Sequence, residues 1–355
     1  MNNQELLFFA AFILFVIAML SIDLGVFNRK AHVIGMKEAL WMSIFWVGLG
    51  ISFYYFFRHF GHLVHGLDTL EELQSRIQFY RHPIDIAGLS YDDARDLYNK
   101  NLSLEYITSY LIEKALSVDN IFVMILIFKG FGIGNKYFHR ILYWGILGAV
   151  IMRFIFIFAS AAIIHQFYWV LYIFGLFLIY SGLKIFFQKD TDQVETKNHP
   201  IVKFASKHFR LAGDYIGQRF ILKRDGKYFL TPLFLVLLVI EFSDVVFAAD
   251  SIPAIFSITL DPYIVFFSNI FAILGLRSLF FLVSNIMDLF RFLQYGLGVL
   301  LSFIGTKLLF HDFLYEKLGI GTLESLYIIL LILSVSIIAS LLFPEKNNEE
   351  TPTPL

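Results

Sequence analysis

Glu113-Lys-Ala-Leu-Ser-Val-Asp-Asn-Ile-Phe-Val123 puts two acids into a stretch that is otherwise apolar from about residue 105 to 129. The pattern returns at Asp244-Val-Val-Phe-Ala-Ala-Asp-Ser-Ile-Pro-Ala254, where an acid again precedes a second aspartate by six residues and Asp250-Ser-Ile answers Asp119-Asn-Ile. Downstream, Arg153 follows Asp119 by roughly the interval at which Arg277 follows Asp250, and Gly182-Leu-Lys184 is matched by Gly305-Thr-Lys307. Landmarks repeated in one order define an internal repeat of about 105–187 and 229–310.

Composition fixes the class. The chain of 355 residues is 58% hydrophobic and 16% charged, against about half and a quarter in ordinary globular domains, so its apolar surface exceeds what a soluble core of this size hides. An all-α polytopic membrane protein is expected. A net charge of −1 gives no argument for nucleic acid as a partner. The absence of cysteine removes disulfides, thiolate catalysis, iron–sulfur clusters and soft-metal thiolate sites. Met1-Asn-Asn-Gln-Glu5 lacks the basic region of a cleavable signal, so the apolar run behind it reads as a retained anchor.

Runs near the ~20 residues needed for a span fall at about 6–27, 40–57, 105–129, 139–164, 166–187, 229–257, 262–284, 292–310 and 322–343, which predicts nine transmembrane helices. Basic residues concentrate in alternate loops: Arg29, Lys30 and Lys37; Lys129, Lys136 and Arg140; and the segment 188–228, including Lys189, Lys197, Lys203 and Lys207. Positive flanks stay cytoplasmic, which predicts an outer amino terminus, a cytoplasmic carboxyl terminus and two repeats of opposite orientation. The chain then divides into two amino-terminal helices (1–57), an extracytoplasmic cap (58–104), repeat A (105–187), a basic cytoplasmic loop (188–228), repeat B (229–310), a final helix (311–343) and a disordered tail (344–355). In the cap, His59, His62, His65 and Asp68 recur every three residues, a spacing able to gather cations on one helix face or simply to place histidines at the interface.

The acids inside the spans are Asp23, Glu113, Asp119, Glu241, Asp244 and Asp250, against Arg153 and Arg277. At roughly 2.5–3.5 kcal/mol per buried charge, six lone carboxylates exceed the ~5–15 kcal/mol stability of a fold. Protonation, arginine pairing or a bound cation must compensate them. Glu241 and Asp244 share a helix face, Asn120, Ser117 and Ser251 add neutral oxygens, and Pro253 is expected to break its helix and free carbonyls near Asp250. The donors are hard oxygens, which favours Mg2+, Ca2+ and Mn2+ over zinc and copper. Arg153 and Arg277 read as counter-ions, and Lys184 and Lys307 as span-end residues that snorkel.

Ser21-Ile-Asp-Leu-Gly-Val-Phe27, the Glu113–Val123 block and Glu241-Phe-Ser-Asp-Val-Val-Phe-Ala-Ala-Asp-Ser-Ile-Pro-Ala254 resemble the TerC/Alx family of integral membrane proteins, in the wider LysE-like transporter group. The resemblance covers about residues 5–345. It implies manganese homeostasis by export across a bacterial cytoplasmic (inner) membrane, an association with tellurite resistance and, in some members, metal delivery to maturing proteins. It carries the acidic layer over onto Asp23, Glu113, Asp119, Glu241, Asp244 and Asp250. The reading is therefore a non-enzymatic exporter of a divalent cation, Mn2+ or Ca2+, working by alternating access with possible proton exchange and holding no cofactor. Its rivals are a membrane scaffold that assists assembly or metallation and has protein partners, an intramembrane enzyme, for which no nucleophile–base pair is present, and an anion exporter working through Arg153 and Arg277.

Overall fold

The computed structural model of the chain describes residues 3–25, 35–134, 137–187, 200–212, 219–224, 226–286 and 292–343. Helices α1 (Asn3–Gly25) and α2 (Met36–Phe60) lead through a 3-10 turn (Gly61–Val64) to α3 (Leu70–Tyr80), followed by α4 (Tyr91–Gly130), α5 (Phe138–Gln166) and α6 (Val170–Phe187). A short helix α7 (Pro200–His208) and the antiparallel hairpin β1 (Ile221–Arg224) and β2 (Lys227–Leu230) precede α8 (Pro232–Phe256), α9 (Pro262–Ile273), α10 (Leu276–Ile286), α11 (Leu293–Leu309), α12 (His311–Leu318) and α13 (Thr322–Leu342). The protein is an all-α polytopic membrane protein, and the hairpin is its one sheet among the described residues.

Local chemistry sets where these helices begin. Thr69 accepts the Glu72 N–H while the Glu72 carboxylate accepts that of Thr69, a capping box that starts α3. Ser90 caps α4; Thr231 and Asp261 cap α8 and α9, each followed by a proline at the first helical position, where the missing N–H has no cost. Among the described residues, six helices are long and apolar enough to span a membrane, seven if α9 and α10, bent by 44°, are taken as one. The predicted runs 105–129 and 292–310 fall in α4, which carries many charges over its 40 residues, and in α11, which has 17.

Two expectations change. The cap as a separate unit ends near residue 90, because α4 starts at Tyr91 and runs unbroken into the third predicted span. The break expected at Pro253 does not occur there: Pro253 sits in the last turn of α8, which ends at Phe256, so its missing donor costs a single bond. The interruption lies instead between α9 and α10, at Gly275, whose φ of +85° a residue with a Cβ adopts only under strain. Residues Arg29, Lys30, Lys136, Lys189 and Lys197 and the tail 344–355 lie outside the described residues.

Helices α6 and α11 cross at two glycine pairs. A Cβ on Gly305 would stand 2.6 Å from the Gly175 carbonyl oxygen, and one on Gly182 2.5 Å from that of Gly298. Such contact between backbones is the membrane device of small residues at an interface. Matching Gly182 to Gly305 and Gly175 to Gly298, as the sequence echo does, exchanges the two pairs. Elsewhere α1, α2 and α9 pack through phenylalanines, with Phe12 and Phe267, and Phe53 and Phe271, at ring separations of 4.3 Å.

Candidate ion site and its buried charge networks

Arg153, in the middle of α5 and 1% exposed, gathers partners from three other helices. Its Nη1 donates to Glu113 Oε1 on α4 and, at 2.8 Å, to Asn269 Oδ1 on α9. Its Nη2 and Nε donate to the two carboxylate oxygens of Asp244 on α8, at 3.1 and 3.4 Å. The planar fork of a guanidinium satisfies this arrangement where an ammonium does not. Glu113 and Asp244 were expected to face a cation; Arg153 holds them instead. Sequence neighbours suggested otherwise because the compensating charge comes from another helix. Lys114, the neighbour of Glu113, does not pair with it and donates to the Ala272 carbonyl at 3.1 Å, in the last turn of α9, where helix termination frees carbonyls.

A second set stands apart. Asp119 and Asn120 from α4, Ser181 and Lys184 from α6, Asp250 from α8 and Gln294 from α11 line a cavity of about 480 Å3. Ser181 Oγ donates to Asp250 Oδ1 at 2.8 Å. Lys184 is thus an exposed lining residue of the acid cavity rather than only an interfacial anchor. Glu241 is in neither group: its carboxylate packs against α5 at Gly148, where a Cβ would collide with it. Arg277 lies just beyond the Gly275 bend and is 1% exposed. Asp23 falls in the last turn of α1, and its side chain is outside the described residues.

The six acids therefore do not form one layer. Among the described residues, no group of three or more His, Asp or Glu is arranged to hold a metal ion. Asp119 and Asp250 are a pair of carboxylates with neutral oxygens of Asn120 and Ser181 beside them, a donor set that suits a hard, partly hydrated cation.

The cap carries a third network that the histidine spacing did not disclose. His65 Nδ1 and Nε2 each lie 2.7 Å from a carboxylate oxygen, of Glu5 on α1 and of Asp261 ahead of α9, and Arg76 reaches Glu5 at 2.8 Å. The Asp261 N–H donates to Thr259 Oγ1, whose hydroxyl donates to Glu105 at 2.6 Å; Glu105 also meets His82 and Asn101. Burial alone lowers the pKa of His65, but the Asp261 charge and the hydrogen bonds to Asp261 and Glu5 outweigh it and hold it above the ordinary histidine value. His82 is raised likewise against burial by Glu105, and Asp261 is lowered against burial by His65. His62 turns instead to Asn99, so the four cap positions form no common cation face.

Spanning helices tied by a buried Arg153 network beside an open acidic cavity define a polytopic membrane protein organised around intramembrane charge. The sequence profile described as integral membrane protein TerC family matches residues 98–348, and the chain belongs to that family. An uncharacterised membrane protein of Myxococcus xanthus is 41% identical over 94% of this chain and 91% of its own length. Proteins of Salmonella typhi and Escherichia coli K12, each named as a candidate membrane-bound redox modulator, Alx, are 39% and 37% identical over 89% of both chains. No solved structure matches this chain.

Proposed function

We propose that the protein exports a divalent cation, Mn2+ before Ca2+, across a bacterial cytoplasmic membrane, with Asp119 and Asp250 as the binding pair. The observation that carries this reading is that these two carboxylates share a cavity and, among the described residues, neither is bonded to an arginine. Two anions in a low-dielectric span are unfavourable unless protonated or visited by a cation, so loading the ion and taking up protons are alternatives at one place. Arg153 then has a static task, to neutralise Glu113 and Asp244 and hold α4, α5, α8 and α9 at fixed spacing around the site. This speaks against an anion exporter working through Arg153, since carboxylates already occupy its guanidinium.

The relatives named as redox modulators fit this reading indirectly. The chain has no cysteine and hence no thiol couple of its own, so a redox effect would arise through the level of a redox-active metal. The amino terminus and the cap face outward, and the basic segment 188–228 lies on the cytoplasmic side.

Reconstitution in liposomes with a metal-sensitive dye tests the proposal. The wild type moves Mn2+ and Asp119→Asn and Asp250→Asn do not; parallel arms with Ca2+, Mg2+ and Zn2+ rank the ions. A folded wild type that moves none of them sinks the transporter reading and favours the scaffold.

A further inference from the structure

The Asp119–Asp250 cavity has a partner at the cap end of the bundle. A second cavity, also of about 480 Å3, is lined by Leu171, Ser257, Lys307 and Leu308 together with Glu105 and Arg81. Matching Asp119 to Asp250 and Lys184 to Lys307, Ser257 answers Leu126, Leu308 answers Ile185 and Leu171 answers Gln294, and Leu126, Lys184, Ile185 and Gln294 all line the first cavity. Each cavity thus takes four lining residues from positions that correspond across the repeat.

They differ in how far they open. Val123, Leu126, Ser181 and Lys184 are partly or fully exposed, whereas their counterparts Ala254, Ser257, Ile304 and Lys307 are buried, Ala254 and Ile304 completely. Lys307, expected to snorkel, is only 4% exposed. Ser251, the counterpart of Asn120, is buried, and its hydroxyl has no hydrogen-bond partner among the described residues. A buried hydroxyl in that condition calls for an explanation, and an arrangement in which the cap side opens supplies one, because Ser251 then lines the open cavity as Asn120 lines the acid cavity here. The layer of Ala254 and Ile304 is apolar and offers a cation no oxygen in place of its water, so it closes the route. The α6–α11 glycine crossing maps onto itself under the same matching and can stay fixed while the layers on either side exchange.

We propose that the two cavities are the two halves of one divalent-cation pathway that open by turns: Ser251, Ala254 and Ile304 part toward the cap as Asn120, Val123 and Ser181 close over the acids. The inference rests on the reading of Asp119 and Asp250 as the ion site. The change is an exchange between two packings of the same helices, each a discrete state.

The chain contains no cysteine, so single cysteines report access without background. Full-length Val123→Cys, Ala254→Cys and Ile304→Cys are labelled with a membrane-impermeant maleimide in right-side-out and inverted vesicles. Val123→Cys should react from one side, and Ala254→Cys and Ile304→Cys from the other and more slowly, by about ten- to a thousandfold, as a minor state populated at roughly 0.1–10% gives. Adding Ser181→Trp props the first cavity open and should slow Ala254→Cys labelling about tenfold or more, while Ile304→Trp should speed it and slow Val123→Cys by a similar factor. Leu178→Cys, the fully buried counterpart of Leu301 in the acid cavity, replaces any position whose variant fails to fold. Labelling of Ala254→Cys and Ile304→Cys from the Val123 side, or rates that ignore both tryptophans, overturns the proposal. Mn2+ flux is read separately: labelling that alternates without flux supports the two-sided pathway and removes its cargo, whereas flux with the layer positions unreactive in every variant overturns the pathway alone.

Discussion

Glu113 of α4 and Asp244 of α8 are joined through the single guanidinium of Arg153, which gives Nη1 to one and Nη2 with Nε to the other. All three side chains are buried. The sequence echo assigns these two acids the same place in their repeats, so one arginine neutralises a corresponding pair. Removing it strands two carboxylates where water does not reach. Arg153→Gln should cost about 3–5 kcal/mol, the usual penalty for breaking a buried pair. Arg153→Lys should be intermediate, because an ammonium cannot reproduce the fork. Asp119→Asn, outside this network, should leave the unfolding midpoint unchanged or raised. Thermal unfolding in detergent checks all three, and an Arg153→Gln protein as stable as wild type would falsify the assignment.

The class of protein and the presence of buried acids were legible because apolar run length and charge are properties of single segments. Which acids are compensated was not. Asp244 has no basic residue beside it in sequence, and its partner arrives from α5; Glu113 has Lys114 beside it and ignores it for Arg153. Pro253 advertised a break that its place in the last turn of α8 makes harmless, whereas Gly275, which marks the real one, looks like any glycine in a span. The His65 network joins Glu5, Arg76, Glu105 and Asp261, which only the folded chain brings together.

The α6–α11 crossing should tolerate no added carbon. Gly305→Ala drives a methyl group against the Gly175 carbonyl, and because the obstacle is backbone, relief requires the helices to separate. A loss of about 1–3 kcal/mol is expected. Gly48→Ala, on an exposed face of α2 with nothing within 4 Å of the new carbon, should instead gain about 0.5–1 kcal/mol. Equal effects of the two substitutions on chemical unfolding would show that the close approach is not what the glycines provide.

At Gly275 a Cβ would meet the Trp46 Cβ at 2.5 Å, in addition to the strain of its φ of +85°. Gly275→Ala should therefore combine a left-handed conformational cost of about 1–2 kcal/mol with overpacking. Replacing Trp46 by glycine, which removes the obstructing Cβ along with the ring, relieves only the second. In a double-mutant cycle the pair should lose less than the sum of its parts; strict additivity would indicate that Trp46 yields without resistance.

The cap should loosen on the alkaline side. His65 is wedged between Glu5 and Asp261, with Arg76, Tyr80 and Tyr263 around it, and its two short contacts need an imidazolium donating from both nitrogens. Because its pKa in the fold lies above the ordinary 6.5, the stabilisation it brings is complete below about pH 6.5 and disappears as pH rises through the raised value. His82 against Glu105 acts with the same sign. Asp261, lowered by His65, contributes above its ordinary 3.8 and loses that contribution as pH falls through its depressed value. Between these limits the cap is tightest. Deprotonation of His65 should cost roughly 1.5–3 kcal/mol, the range for charged hydrogen bonds, seen as an unfolding midpoint that falls in the wild type as pH rises above the ordinary histidine value of 6.5. His65→Gln should start lower and fall less over the same interval. A His65→Gln profile parallel to that of the wild type would place the alkaline loss elsewhere, with His82 the next residue to replace.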